Sequence, residues 1–125
     1  MMSNIKFYKS RIINWKSPVN DSIFQHFKRY KQDHSLPTTI GRDVPYHRPS
    51  DAAFAGLHHV HLGQFNEKEI QFYRCSDDHL VYAKGMFTHA YLLIDILTPD
   101  AHQKANSIET MMKYIELANQ FRDKL

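Results

Sequence analysis

Between residues 57 and 97 the chain carries four short apolar segments with very short connections, and no other feature constrains the fold as tightly. Residues 57–62, 70–75, 79–84 and 91–97 have the length and pattern of strands, while Ser76-Asp77-Asp78 and residues 85–89 are turn-sized. Turns of that size leave no room for a crossover, so a largely antiparallel sheet is expected. The last segment, Tyr91-Leu92-Leu93-Ile94-Asp95-Ile96-Leu97, is apolar on both faces and suits a central, covered strand.

Helix signals flank this block. Ser17-Pro18 pairs an N-cap residue with proline at the first helical position, and Val19, Ile23, Phe24, Phe27 and Tyr30 follow at helical spacing. Thr98-Pro99-Asp100 repeats the signal before Ala101, Ala105, Ile108, Met112, Ile115 and Ala118, with Asn106-Ser107 able to act as a second cap and break the helix. The expectation is one α+β domain over residues 1–125. It comprises a basic strand or arm (1–16), a helix (17–34), a long ordered loop (35–56), antiparallel strands (57–97) and a C-terminal helix (98–125). With 42% hydrophobic and 23% charged residues, the composition is that of a globular domain and excludes a disordered chain.

The longest apolar run falls well short of the ~20 residues that a membrane helix needs. The basic first residues lack the apolar segment and cleavage site of a signal peptide, and the single Cys75 allows no internal disulfide. A cytoplasmic protein without a membrane partner is the expectation. Charge is unevenly placed. Residues 1–48 carry nine Lys/Arg against three Asp, net +6, while the remainder is net −3. Such a basic half attracts polyanions, either nucleic acid or an acidic protein.

Chemistry-bearing residues gather in four places. Arg42, His47 and Arg48, in the loop, suit phosphate contact, as do Lys28, Arg29 and Lys31 on the polar side of the first helix. Asp43 reads more readily as a loop-ordering partner of Arg42. In His58-His59-Val60-His61, positions two apart share a strand face, so His59 and His61 point the same way. They suit acid–base work on RNA or, as an alternative, two ligands of a metal ion, with no third ligand evident in the local sequence. Arg74 would be a fixed cation on a strand, while Tyr82 on the next strand is a candidate RNA contact and His79 reads as structural. His102 falls in the first turn of the last helix, where free N–H groups favour phosphate and the dipole favours a neutral imidazole. Together, imidazoles as base and acid with one guanidinium suffice for metal-independent RNA cleavage through the 2′-hydroxyl, so no cofactor is expected. A binding module that blocks the ribosome or another nucleic acid without cutting, or a metal-dependent hydrolase built on His59 and His61, are the alternatives.

A family resemblance sharpens this. Tyr30-Lys31-Gln32-Asp33 with Leu36-Pro37, Gly41-Arg42-Asp43, His59-Val60-His61-Leu62, His79-Leu80-Val81-Tyr82 with Gly85 and Phe87, Leu92-Leu93-Ile94, and Pro99 with His102 and Ala105 are similar in order and spacing to the YafO toxins. The closing Ala118-Asn119-Gln120-Phe121-Arg122 fits as well. The resemblance implies a RelE-like, microbial-ribonuclease-type fold. It also implies a ribosome-dependent messenger RNA endonuclease, with the ribosome, mRNA and a cognate antitoxin as partners. The stretch from Arg74 to Tyr82 is also similar to a hairpin of YoeB-type toxins whose opening arginine is catalytic, which implies that role for Arg74. His59 and His61 stand where those toxins place a glutamate base, and His102 where they place a histidine acid. The identity of acid and base here is left open by these differences.

Overall fold

The turn at residues 85–89 folds the chain back sharply, and sheet pairing spreads outward from there. In a computed structural model, which describes residues 4–125, the elements run β1 (Lys6–Lys9), α1 (Pro18–Gln32), β2 (Ile40–Pro45), α2 (Ser50–Phe54), β3 (Leu57–Leu62), β4 (His79–Lys84), β5 (Ala90–Leu97), α3 (Ala101–Ala105) and α4 (Ile108–Asp123). The result is an α+β domain with a five-stranded sheet in the order β1-β5-β4-β3-β2. Three pairings are antiparallel; β1 lies parallel to β5, which makes the sheet mixed. The part of the expected basic arm in residues 1–3 lies outside the described residues.

Alternation along the strands splits the sheet into two apolar faces. Val60 and Leu62 of β3 and Leu80 and Tyr82 of β4 face α1, packing with Phe24, Phe27, Trp15 and Leu93. Leu57, Val81, Ala83, Leu92 and Ile94 form the other core, under Met111, Tyr114, Ile115, Ala118 and Phe121 of α4. Helix α1 starts as its sequence dictates, with Ser17 accepting the Asn20 N–H and Pro18 in the first turn. Burying several such side chains on each face, at about 1.5–3 kcal/mol apiece, is what holds the layers together.

Three expectations are corrected. Residues 70–75 are not a strand; Gln71–Tyr73 form one 3-10 turn, and the alternation of Ile70 and Phe72 reflects exposed side chains rather than a buried face. The loop 35–56 contains both β2 and α2. The C-terminal helix breaks at Asn106-Ser107, as that cap signal allows, but it starts later than expected. Ser107 caps α4 by accepting the Thr110 N–H, and α3 begins after Asp100 rather than at Thr98, whose hydroxyl donates to Asp78 instead.

Asp43 is tied to α1 and β4 rather than to Arg42. It leaves β2 on the α1 side, where Tyr30 and Tyr82 donate hydroxyls to it (2.7 and 2.8 Å) and Lys31 an ammonium (3.2 Å). Burial works against its ionised form, but His58 at 3.8 Å, Lys31 and the two hydroxyls outweigh it, so the carboxyl titrates well below the usual carboxylate range. Asp43→Ala, which strands these donors, is expected to destabilise the chain by about 3 kcal/mol in urea unfolding at neutral pH. Because the folded-state value is depressed, the stabilisation is full above pH ~4 and fades as pH falls below it. The acid limb of the stability curve should therefore be shallower in the variant than in the parent.

Candidate functional site

The α4-side face changes character along β3 and β4, from aliphatic at Leu57 to imidazole at His59, His61 and His79. Antiparallel pairing sets His61 opposite His79, and His59 opposite Val81. Ring centroids of His61 and His79 are 4.2 Å apart, those of His59 and His79 4.7 Å. Helix α3 lays His102 over this group, 4.6 Å from His79 and 5.7 Å from His61. His58, one residue out of phase, points to the opposite face and stacks on Tyr82.

The backbone of Ser76 fixes two of these rings. Its N–H donates to His61 Nδ1 (2.8 Å), so the proton of neutral His61 sits on Nε2. Its carbonyl accepts from His79 Nε2 (3.2 Å), which leaves His79 Nδ1 as a bare lone pair. Burial, then mutual repulsion among the histidines, pushes the His59 and His79 pKa values down to about 3 and about 4, so both are neutral near pH 7. His61 is shifted down for the same leading reason.

His102 is held differently. Asp77 Oδ1 accepts from both its backbone N–H (2.9 Å) and its Nδ1 (2.7 Å). An ionised carboxylate can only accept, so Nδ1 carries a proton, and in the neutral ring Nε2 is the atom with the lone pair. The same two bonds, the backbone one foremost, lower the pKa of Asp77. They also correct the phosphate-binding expectation for this helix start: α3 is five residues long, and its first N–H groups go to the Asp77 carbonyl and carboxylate.

A cleft of about 400 Å³ opens beside the cluster, lined among others by Arg42, His47, Arg48, His59, His79 and His102. Arg42 leaves β2 on the histidine side, its guanidinium 4.2 Å over the ring of Phe72. Among the described residues no carboxylate pairs with it, and its Nε is buried with no hydrogen-bond partner.

The cleft thus gathers His59, His102, Arg42, His47 and Arg48 from the sequence-based candidates. His61 is nearly buried and supports the cluster from behind. Arg74 is not there. Only 1% exposed, its guanidinium donates to the carbonyls of Glu69, Pro37, Ile40 and Glu67 at 2.9–3.1 Å, so its hydrogen-bonding capacity is spent on tying the 65–75 loop to β2. Gly41 permits that approach, since a Cβ there would collide with the Arg74 carbonyl. Tyr82 is buried, with its hydroxyl on Asp43, and has no surface to offer RNA. Lys28, Arg29 and Lys31 belong to α1, on the opposite sheet face; Lys28 lies over Phe7 and Phe24, and Lys31 serves Asp43. None of these can share a phosphate with His59.

Asp77 is the residue that sequence reasoning missed, and His79, read there as structural, lies within the histidine cluster. The signal for His79 was the hairpin register, which puts it opposite His61. Asp77 had no signal, being 25 residues from His102. His59, His61 and His79 have ligand atoms within 4.8 Å of one another, the arrangement that a metal would need. The donor set fits poorly, however. Ser76 occupies the lone pair of His61, so the trio offers two free lone pairs, and a third ligand bond would break the Ser76 contact.

Comparison with known proteins decides the family. Residues 28–123 match the family described as Toxin YafO, type II toxin–antitoxin system. The chain belongs to the YafO toxin family. It is similar to the mRNA interferase toxin YafO of Escherichia coli (strain K12), with 33% identity over an alignment covering 94% of this chain and 98% of that protein. No solved structure matches it. The YafO match contains every residue of the cleft named above. Among the described residues, no helix of this YafO-family chain is long and apolar enough to cross a membrane.

Proposed function

We propose that the chain is the toxin of a type II pair and cleaves messenger RNA on the ribosome, in the cleft between Arg42 and His102. A cognate antitoxin restrains it, and it acts in the cytoplasm. Its sheet with helices on both faces is assigned to the RelE-like, microbial-ribonuclease-type class. One observation carries the mechanism: Asp77 accepts from His102 Nδ1, which makes Nε2 the basic atom of the neutral ring, in a cleft that also holds Arg42, paired with no carboxylate among the described residues.

His102 Nε2 takes the proton of the ribose 2′-hydroxyl, whose oxygen attacks the adjacent phosphorus. Arg42, with Arg48 at the rim, balances the extra negative charge on the five-coordinate phosphate, a role that a planar guanidinium fills well. The bond from phosphorus to the 5′-oxygen breaks, and that oxygen is protonated by His59, which is neutral in the free chain and takes up this proton from solvent when the phosphate anion lies beside it. The products are a 2′,3′-cyclic phosphate and a 5′-hydroxyl. His61 and His79 keep the rings in place and touch no substrate.

Primer extension on ribosome-bound message tests this. New 5′ ends are expected with the chain. They should vanish when a single 2′-deoxynucleotide stands at the cleavage position, and persist with a chelator that strips zinc but leaves magnesium to the ribosome. Translation arrest without new ends would replace cleavage by mere occupancy. Loss of cleavage in the chelator would turn the histidines into metal ligands.

A further inference from the structure

We propose that Phe72 and Tyr73 form a stacking platform for the bases of single-stranded RNA, joined to the cleft by Arg42. The inference rests on the cleavage reading for its ligand, and deepens it by naming where the bases go.

Residues 70–73 expose three large side chains in four positions: Ile70 at 65%, Phe72 at 55% and Tyr73 at 66%. On a mobile loop such exposure would say little. This loop is fixed from beneath. The buried Arg74 donates to four backbone carbonyls, and Gln71 donates to the Gly41 carbonyl (2.9 Å) and the Tyr30 hydroxyl (3.0 Å). The Arg42 N–H bonds the Arg74 carbonyl at 2.9 Å, locking the loop to β2. Two aromatic rings are therefore presented to solvent on a rigid mount, and preorganisation of that kind lowers the ordering cost of a ligand.

The kind of ligand follows from the neighbours. Phe72 and Tyr73 meet edge to face, 5.4 Å apart at 84°, so they offer π surfaces in two directions. Arg42 stacks over Phe72 and also lines the histidine cleft. A guanidinium between an aromatic ring and the histidine cleft matches one nucleotide: its phosphate faces the cation, and its base lies on the ring. The basic rim, with Arg48 as well, opposes an acidic backbone rather than an uncharged apolar protein. A duplex hides its base faces, so the ligand is single-stranded.

The test uses the full chain and an RNA hexamer with 2-aminopurine, 2′-O-methylated throughout so that it cannot be cut. The parent is expected to bind it, free or on programmed ribosomes, and to quench its fluorescence by stacking. Phe72→Leu/Tyr73→Leu keeps apolar bulk without π faces; it should lose the quenching and bind about tenfold more weakly or worse, with an unchanged melting temperature. Phe72→Trp should quench at least as strongly as the parent. A parent that neither binds nor quenches, or a double variant that behaves like the parent, overturns the platform. So does a double variant that keeps RNA binding and loses capture of a protein partner, which would make the patch a protein-docking face. The two proposals fail separately. Quenching without new 5′ ends in message leaves the platform and removes the nuclease, whereas cleavage without quenching does the reverse.

Discussion

Arg74→Ala is expected to destabilise the chain by more than about 3 kcal/mol while removing no group that touches RNA. The substitution leaves the carbonyls of Glu67, Glu69, Pro37 and Ile40 without their donor in a site that is 1% exposed. Even one buried group without a partner costs about 1–3 kcal/mol, so losing this set exceeds 3 kcal/mol, against a usual total of about 5–15 kcal/mol. Lysine does not rescue it, because one ammonium cannot reach carbonyls on three sides. Urea unfolding of the parent and variant measures the loss directly. A variant as stable as the parent but inactive would return Arg74 to the chemistry.

Arg42→Ala is expected to do the opposite: a folded chain, with a melting temperature close to the parent's, that cleaves ribosome-bound message about 10²–10³-fold more slowly. Arg42 makes no ion pair among the described residues, and the Phe72 ring that it covers is already partly in solvent, so little stability goes with it. Arg42→Lys should recover only part of the rate, since a point charge replaces a planar fork. Single-turnover cleavage, corrected for folded fraction, is the measurement. Two arginines close to one loop thus separate, one holding the structure and the other the phosphate.

That separation explains where the sequence could be read and where it could not. The β3, β4 and β5 segments were legible because alternation and short turns leave few other folds, and the phase of β3 alone placed His59 and His61 together. β2 was hidden within a proline-containing loop, with only Ile40 and Val44 as apolar signals and a register shift against β3. Residues 70–75 mimicked a strand because Ile70, Phe72 and Tyr73 are strand-favouring side chains in a run of strand length. Periodicity cannot distinguish a buried row from an exposed one. Arg74 was misread for the same reason: an arginine on a strand end and an arginine buried under a loop look alike until its acceptors are located. Arg42 was recognised as a phosphate contact, but not its direction, which depends on Asp43 taking the other face of β2. The Asp77–His102 contact joins a turn to a helix across 25 residues and left no local trace.

Single-turnover cleavage of ribosome-bound message by His102→Ala, alongside the parent at equal folded fraction, probes the cleft most directly. Removal of the base should slow the reaction at least about 100-fold with stability retained, since His102 is exposed and bonds chiefly to Asp77. Cleavage at the parental rate would mean that the proton leaves by another route, and that the histidine cleft is not where the RNA is cut.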